Sequence, residues 1–235
     1  MIEPVLIRGV QVYPFTSGKE LVDFVTDKKT VLIAINAEKV VHATKASRKF
    51  ISENIGYADG AGVVYALKRK IAKQSHVVKI AGCELWLDII NLTQQSKSFY
   101  LIGAKEEVIQ ETVSKLKRKF DGISIVGYRN GYLRNDDELK ELSDDIQAKK
   151  PDVVFVAMGS PKQEQVILEL QAHHKALYAG LGGSFDVYTG KVDRAPEWFI
   201  RHNLEWAYRL MRQPARIKRQ IYLFRFAKWL ILNDL

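Results

Sequence analysis

Five short, unbroken apolar runs constrain this 235-residue chain more than any other feature. They are VLIAIN (31–36), SFYLIG (98–103), ISIVGY (123–128), DVVFVAMG (152–159) and ALYAGLGG (176–183). A strand with one wet face alternates polar and apolar residues, whereas a strand buried on both faces reads as a continuous apolar run. Between the runs lie charged amphipathic stretches such as KEEVIQETVSKLKRKF and NDDELKELSDDIQAKK. The pattern predicts an α/β fold, a mostly parallel sheet with helices on both faces. The opening VLIRGVQVYP reads as a small separate strand or hairpin. After Pro196 the pattern is purely helical, with helices expected at about 203–212 and 215–231 and Pro214 between them.

Composition excludes several classes. Hydrophobic residues make up 47% and charged residues 27%, which fits a packed globular chain and not a disordered tail. No apolar run approaches a bilayer span. The opening residues lack a basic segment followed by an apolar core, so no secretion signal is expected. One cysteine, Cys83, allows no internal disulfide and no cysteine-rich zinc site. The histidines at 42, 76, 173, 174 and 202 have no ligand spacing with it, and no metal is expected. The net charge is +9, but it is uneven: residues 201–235 hold eight Lys and Arg against only Glu205 and Asp234. That tail is attracted to phosphate, nucleic acid or anionic lipid.

The local motifs each carry two readings. AMGSPKQE (157–164) ends a strand and opens a helix, with Ser160 as N-cap, Pro161 at the first helical position and Gln163 completing a capping box. The same helix start can bind an anion at the carboxyl edge of the sheet. In YADGAGVV (57–64), Asp59 either caps a helix or acts as a general base beside close-approaching backbone. INAEK (35–39) puts Asn36, Glu38 and Lys39 at a strand-to-helix junction, where Asn36 caps or binds substrate. LGGSFDVYTG (181–190) offers Gly182 and Gly183 as an ordinary turn or as bare backbone for a ligand. No G-x-G-x-x-G and no Walker-type loop occurs, which argues against a dinucleotide-dependent oxidoreductase. In the tail, Arg209, Arg216 and Arg219 are interleaved with Trp206, Tyr208, Tyr222, Phe224, Phe226 and Trp229. This suits an interfacial helix, a core-packed helix with a solvated basic face, or a single-stranded nucleic acid.

Taken together, INAEK, YADGAGVV, KIAGCELW, AMGSPKQE, FDVYTGKVDRAP and LEWAYRLMRQPARIKRQ resemble, in order, the WecG/TagA/CpsF glycosyltransferase family. The wording of INAEK, AMGSPKQE and the tail is closest to the WecG branch. The resemblance implies a Rossmann-like core over residues 1–195 and a basic, aromatic-rich helical appendage over 196–235 that completes the active site at the membrane. It implies inverting, metal-independent transfer without a cofactor, the UDP-sugar being a substrate. The WecG branch moves N-acetylmannosaminuronic acid from UDP to undecaprenyl-diphosphate-linked N-acetylglucosamine, making lipid II of enterobacterial common antigen. The TagA branch uses UDP-N-acetylmannosamine. By resemblance Asp59 is the general base. Asn36, Gly159, Gln163, Gly182, Gly183 and Arg194 are substrate-binding candidates, and Arg209, Arg216 and Arg219 are diphosphate ligands. Apart from the resemblance, a charged sugar needs a charge partner, and Lys39 or Lys79 either pairs with the uronate carboxylate or is an ordinary surface lysine. The implied partners are the donor, the lipid-linked acceptor and an anionic membrane surface on the inner face of the cytoplasmic membrane. Nucleic acid is disfavoured, and homo-oligomerisation stays open as a way to bury an apolar tail. Two positions depart from the family pattern: Ala34 stands where TagA-like members carry Thr, and Lys79 and Glu84 stand where Arg and Asp are common.

Overall fold

The computed structural model describes residues 2–71, 76–202, 204–212, 217–232 and 234; the side chains at 209 and 217–221 lie outside that description. In chain order the elements are β1 (Val5–Ile7), β2 (Val10–Val12), α1 (Gly18–Val25), β3 (Val31–Ile35), α2 (Ala37–Val41), α3 (Lys45–Ser52), β4 (Ile55–Ala58), α4 (Ala61–Lys70), α5 (Gly82–Thr93), β5 (Ser98–Gly103), α6 (Glu106–Lys119), β6 (Ser124–Arg129), α7 (Asp136–Lys149), β7 (Val153–Ala157), α8 (Lys162–His173), β8 (Leu177–Gly180), α9 (Ser184–Thr189), α10 (Glu197–Arg201), α11 (Glu205–Arg212) and α12 (Ile217–Ile231). The first two strands form an antiparallel hairpin, and the other six form one sheet in the order β4-β3-β8-β7-β5-β6. The β3/β8, β8/β7, β7/β5 and β5/β6 pairs are parallel. The five apolar runs are all strands of this sheet; burial on both faces holds for the inner strands, whereas β6 is at the edge and has no buried residue. Strand β4 is an addition: its four residues, IGYA, are too short and too small to stand out as a run.

The chain forms two compact units, one of residues 18–33 and 81–192, the other of residues 1–17, 34–80 and 193–235. In the first, every residue of β7 is buried, as are Phe99, Tyr100, Leu101 and Ile102 of β5. Trp86 of α5 is fully buried, with edge-on rings from Phe155, Phe185 and Tyr188 at 5.8, 5.4 and 5.2 Å. Its indole N–H donates to the Cys83 carbonyl at 3.0 Å, so burial leaves no orphan donor there. Helix α6 opens on Glu106 and Glu107 and closes on Lys117, Arg118 and Lys119, each set opposing the helix dipole at its end. Helix α7 is capped by Asn135, which accepts from the Glu138 N–H.

The second unit is assembled from three separate stretches of chain. Its hairpin lies along β4: the Tyr13 N–H donates to the Gly56 carbonyl at 2.8 Å, and Tyr13 bridges Tyr57 in parallel. Gly56 is required there, because a Cβ would stand 2.5 Å from the Gln11 carbonyl. Helix α12 packs on α2 and α4 through Phe226, whose ring lies against Gly62, and through Tyr222, whose ring meets His42 at 3.9 Å. Arg8, in the hairpin turn, pairs with Asp234 and sits 4.5 Å over the Trp229 ring. Arg69 donates to the Leu230 carbonyl at the end of the same helix. Pro214, the expected break between the last two helices, lies outside the described residues. Among the described residues no helix is long and apolar enough to cross a membrane.

Candidate active site

Within the first unit the chain reverses direction in the sheet. From β5 it moves outward to β6, whereas from β7 it moves the other way, to β8. Right-handed crossovers then place α6 on one face and α7 and α8 on the other, and the contacts agree: α6 packs on α9, and α7 on α8. The reversal falls between β5 and β7, which are neighbours in the sheet. Such a switch point is where parallel α/β proteins bind ligands. A cleft of about 390 Å³ opens there, lined by Ala104, Gly131, Tyr132, Ala157, Met158, Gly159, Lys162, Gly182, Gly183 and Asp186.

Glycine makes the cleft possible. At Gly103 φ is +136°, and a Cβ would overlap the Ala157 carbonyl, so no side chain fits at the end of β5 beside β7. Gly159 (φ +76°) and Gly182 (φ +62°) carry their turns with open space where a side chain would stand. The wall is therefore largely peptide, with the N-terminus of α8 beside it and Lys162 and Asp186 as its charged groups. The Lys162 ammonium donates to the Gly131 carbonyl at 3.1 Å.

The helix start at AMGSPKQE differs from its expected form. Helix α8 begins one residue later, with Pro161 at the N-cap, so Gln163 is the second helical residue and no side-chain cap bond forms. The Gln163 amide serves another purpose. It is 5% exposed, and its carbonyl oxygen accepts the Gly182 N–H at 2.9 Å. Gly180 leaves the space for it: a Cβ there would lie 2.5 Å from Gln163 Nε2. Gln163 thus ties the start of α8 to the loop after β8, fixing two walls of the cleft to each other.

The second unit gathers other predicted residues at the ends of β3 and β4. Asn36 caps α2, its side-chain oxygen accepting the Lys39 N–H at 2.9 Å. Asp59 follows β4 directly, and its N–H donates to the Ile35 carbonyl at 3.0 Å. The N-cap position of α4 is Gly60, without a side-chain bond, and Asp59 stands one residue before it. A Cβ on Gly60 would lie 3.5 Å from Asn36 Cα, which places Asn36 and the Asp59–Gly60 turn side by side. The Ile80 N–H donates to the Ala58 carbonyl at 2.8 Å, bringing the chain around Lys79 alongside Asp59. Lys79 forms an ion pair with Glu205 of α11, Nζ to Oε2 3.9 Å. Lys39 and Arg194 are half-buried, Arg194 on the stretch leading into α10. Arg212 is exposed and pairs with Asp193 at 2.7 Å. Arg216 and the side chains of Arg209 and Arg219 lie outside the described residues.

Sequence reasoning passed over Tyr132, Lys162, Asp186 and Glu205. Lys162 and Asp186 each sit within two or three residues of a glycine that had been singled out, so their signal was adjacency to a turn. Tyr132 and Glu205 had no local signal, because only the tertiary fold gives them their neighbours. The described residues include no group of three His, Cys, Asp or Glu that could hold a metal ion.

A family model described as Glycosyl transferase WecG/TagA/CpsF family matches residues 5–235. That span takes in the glycine-walled cleft, the Asn36–Asp59–Lys79 cluster and the basic C-terminal helices together. The chain belongs to the WecG/TagA/CpsF family of glycosyltransferases.

Proposed function

We propose that this glycosyltransferase moves N-acetyl-D-mannosaminuronic acid, with inversion, from its UDP derivative to undecaprenyl-diphosphate-N-acetylglucosamine, the step that forms lipid II of enterobacterial common antigen. The observation that carries the reading is Asp59: a carboxylate at the carboxyl end of β4, beside Asn36 and the chain around Lys79, one residue before the N-cap position of α4. In this reading Asp59 takes the proton from the acceptor hydroxyl, and the resulting oxygen attacks the anomeric carbon opposite UDP. The C1–O bond to UDP breaks, and the electron pair leaves on the diphosphate. The cleft of Gly159, Lys162, Gly182, Gly183 and Asp186 has peptide walls and a lysine that suit phosphate oxygens. Arg209, Arg216 and Arg219 stabilise the departing diphosphate, the work a bound metal does in other transferases, so the reaction runs without metal or cofactor. Lys39 and Lys79 are the cations available to a uronate carboxylate.

Residues 196–235 form the membrane-facing appendage in this reading. Support comes from α12 and the residue after it, where Phe224, Arg225, Lys228, Ile231 and Leu232 are exposed, apolar and basic groups together as an anionic lipid surface requires. The protein then works as a peripheral protein on the inner face of the cytoplasmic membrane. A second reading, transfer of neutral N-acetylmannosamine to the same acceptor, uses the same base and cleft.

The test is Asp59→Asn assayed with both UDP-sugars and a lipid-linked acceptor. Loss of a general base lowers kcat by about 10²- to 10⁴-fold, with UDP affinity unchanged within about twofold. Near-normal turnover overturns the assignment. A wild-type enzyme that prefers UDP-N-acetylmannosamine selects the second reading.

A further inference from the structure

The C-terminal end of α12 is held by two arginines from elsewhere in the second unit. Arg8, in the β1–β2 turn, pairs with Asp234 and lies over the Trp229 ring, and Arg69, in the last turn of α4, donates to the Leu230 carbonyl. The hairpin, α4 and α12 therefore meet around that helix end, and α4 packs on both of the others. What they leave in water is of one kind. Tyr65, Lys68 and Arg69 stand at i, i+3 and i+4, so they share the exposed face of α4, while Val63, Ala66 and Leu67 are buried. Tyr65 is more than half exposed, with the Arg69 guanidinium 5.9 Å from its ring centre. Leu6 of β1 is also more than half exposed, although the next residue, Ile7, is fully buried. Ile231 and Leu232, at the end of α12, are exposed further still.

Singly, such side chains are ordinary; gathered around one helix end with cations between them, they mark a contact surface. The cations restrict what covers it. A second copy of this face would bring like charges together. A nucleic acid would neutralise the cations and leave Leu6, Ile231 and Leu232 wet. An anionic lipid surface answers both groups, headgroup phosphates meeting the cations and acyl chains the aliphatic side chains, with the amphipathic Tyr65 ring at the boundary. Asp234, the acid among these residues, is already paired with Arg8.

We propose that the outer face of α4, together with Leu6, is a second lipid contact of the protein, one that lies outside residues 196–235 and continues from the end of α12. The partner is an anionic bilayer, and the surface that meets it is a composite of the hairpin, α4 and α12. Its position bears on the candidate base. Helix α4 starts two residues after Asp59 and its 10 residues rise about 15 Å, so one rigid element joins the base to the lipid-bound end. The inference rests on the reading of the protein as a peripheral membrane protein.

The experiment is sedimentation of the full-length protein with vesicles of phosphatidylglycerol and phosphatidylethanolamine, against vesicles of phosphatidylcholine alone. It compares wild type with Lys68→Gln, Lys68→Glu, Tyr65→Ala and Phe224→Ala. One cation near an anionic surface is worth about fivefold in partitioning, so Lys68→Gln binds about fivefold and Lys68→Glu about 25-fold more weakly to the anionic vesicles. Tyr65→Ala weakens binding with no change of charge, which a purely electrostatic attraction does not produce. These side chains are exposed, so Tm for Lys68→Gln and Tyr65→Ala stays within about 2 °C of wild type. If the Lys68 and Tyr65 variants partition as wild type does while Phe224→Ala is weakened, the inference is overturned and the α12 contact stands. Preference for a single-stranded oligonucleotide over the anionic vesicles overturns it too, as does a dimer that Tyr65→Ala dissociates at unchanged vesicle affinity. Wild-type protein that binds neither kind of vesicle overturns the membrane reading itself and the inference with it, a distinct result.

Discussion

Helix α12 exposes and buries phenylalanines two residues apart, and the difference can be measured. Phe226 is 2% exposed, with ring carbons 3.2 and 3.3 Å from the position a Cβ on Gly62 would take, and with the Trp229 ring edge-on at 6.4 Å. Phe224 is 77% exposed. Truncating a buried phenylalanine to alanine costs about 3–5 kcal/mol, and the lost aromatic pair places Phe226→Ala near the middle of that range, about 4 kcal/mol. For a chain of this length each kcal/mol lowers Tm by about 2–4 °C, so the expected loss is about 8–16 °C. Phe224→Ala stays within about 0.5 kcal/mol. Calorimetric unfolding of the two variants gives the comparison directly. Hydrogen exchange across α12 covers the case in which the helix opens before the rest of the chain. If Phe226→Ala matches Phe224→Ala in both Tm and α12 protection, the helix is not anchored as described and the reasoning fails. The exposed phenylalanine carries the complementary expectation: Phe224→Ala weakens sedimentation with vesicles of anionic lipid, while Phe226→Ala does so only as far as it unfolds α12.

Two further perturbations probe the first unit. Gly180→Ala and Gln163→Ala both break the Gln163–Gly182 bond, the former by filling the space of the amide. Each lowers UDP affinity by about fivefold, one hydrogen bond's worth, with the fold retained by circular dichroism; unchanged affinity in both refutes the role of Gln163 as a strut. At the start of β7, burial pushes the Asp152 carboxyl up, but hydrogen bonds from the Ser98 N–H and hydroxyl, helped by Lys97, more than offset it and hold the group below the usual range. A depressed folded-state pKa adds stability that is present above about pH 4 and is lost as pH falls through the folded value. Asp152→Asn accordingly flattens the acid limb of the stability curve, read by urea midpoints from pH 5 down to pH 2.

The sheet was legible because burial on both faces erases alternation, and a run such as VVFVA has few other homes. Strand β4 was not, since IGYA is short and its burial is supplied by the hairpin and α3, neither of which its own residues announce. In the site, Gly159 and Gly182 lie in the cleft wall and were visible in sequence because positive φ is a local demand that local sequence must answer. The capping box was misassigned for a related reason: S-P-K-Q satisfies the pattern, but the helix begins after Pro161, and the Gln163 side-chain oxygen finds a tertiary donor in the Gly182 N–H that no window of sequence contains. Asp59 shows the reverse. Its neighbours suggested a cap, and the fold gave that position to Gly60. Glu205 had no motif of its own, since its ion pair is with Lys79, more than a hundred residues earlier.

The discontinuous make-up of the second unit has a consequence for the order in which the protein is completed. All parts of the first unit lie before residue 193, so its sheet can close while the chain is still being extended. The unit that holds Asp59 cannot, because it needs residues 193–235 to return to segments laid down near the beginning. Contacts this distant in sequence carry the largest closure entropy and form last. The cleft can thus exist before Asp59 has settled among its neighbours. A chain shortened at its C-terminus would keep the cleft while losing the packing of α12 on α2 and α4 in the unit of Asn36, Asp59 and Lys79, so lost activity in it would report unfinished assembly before anything else.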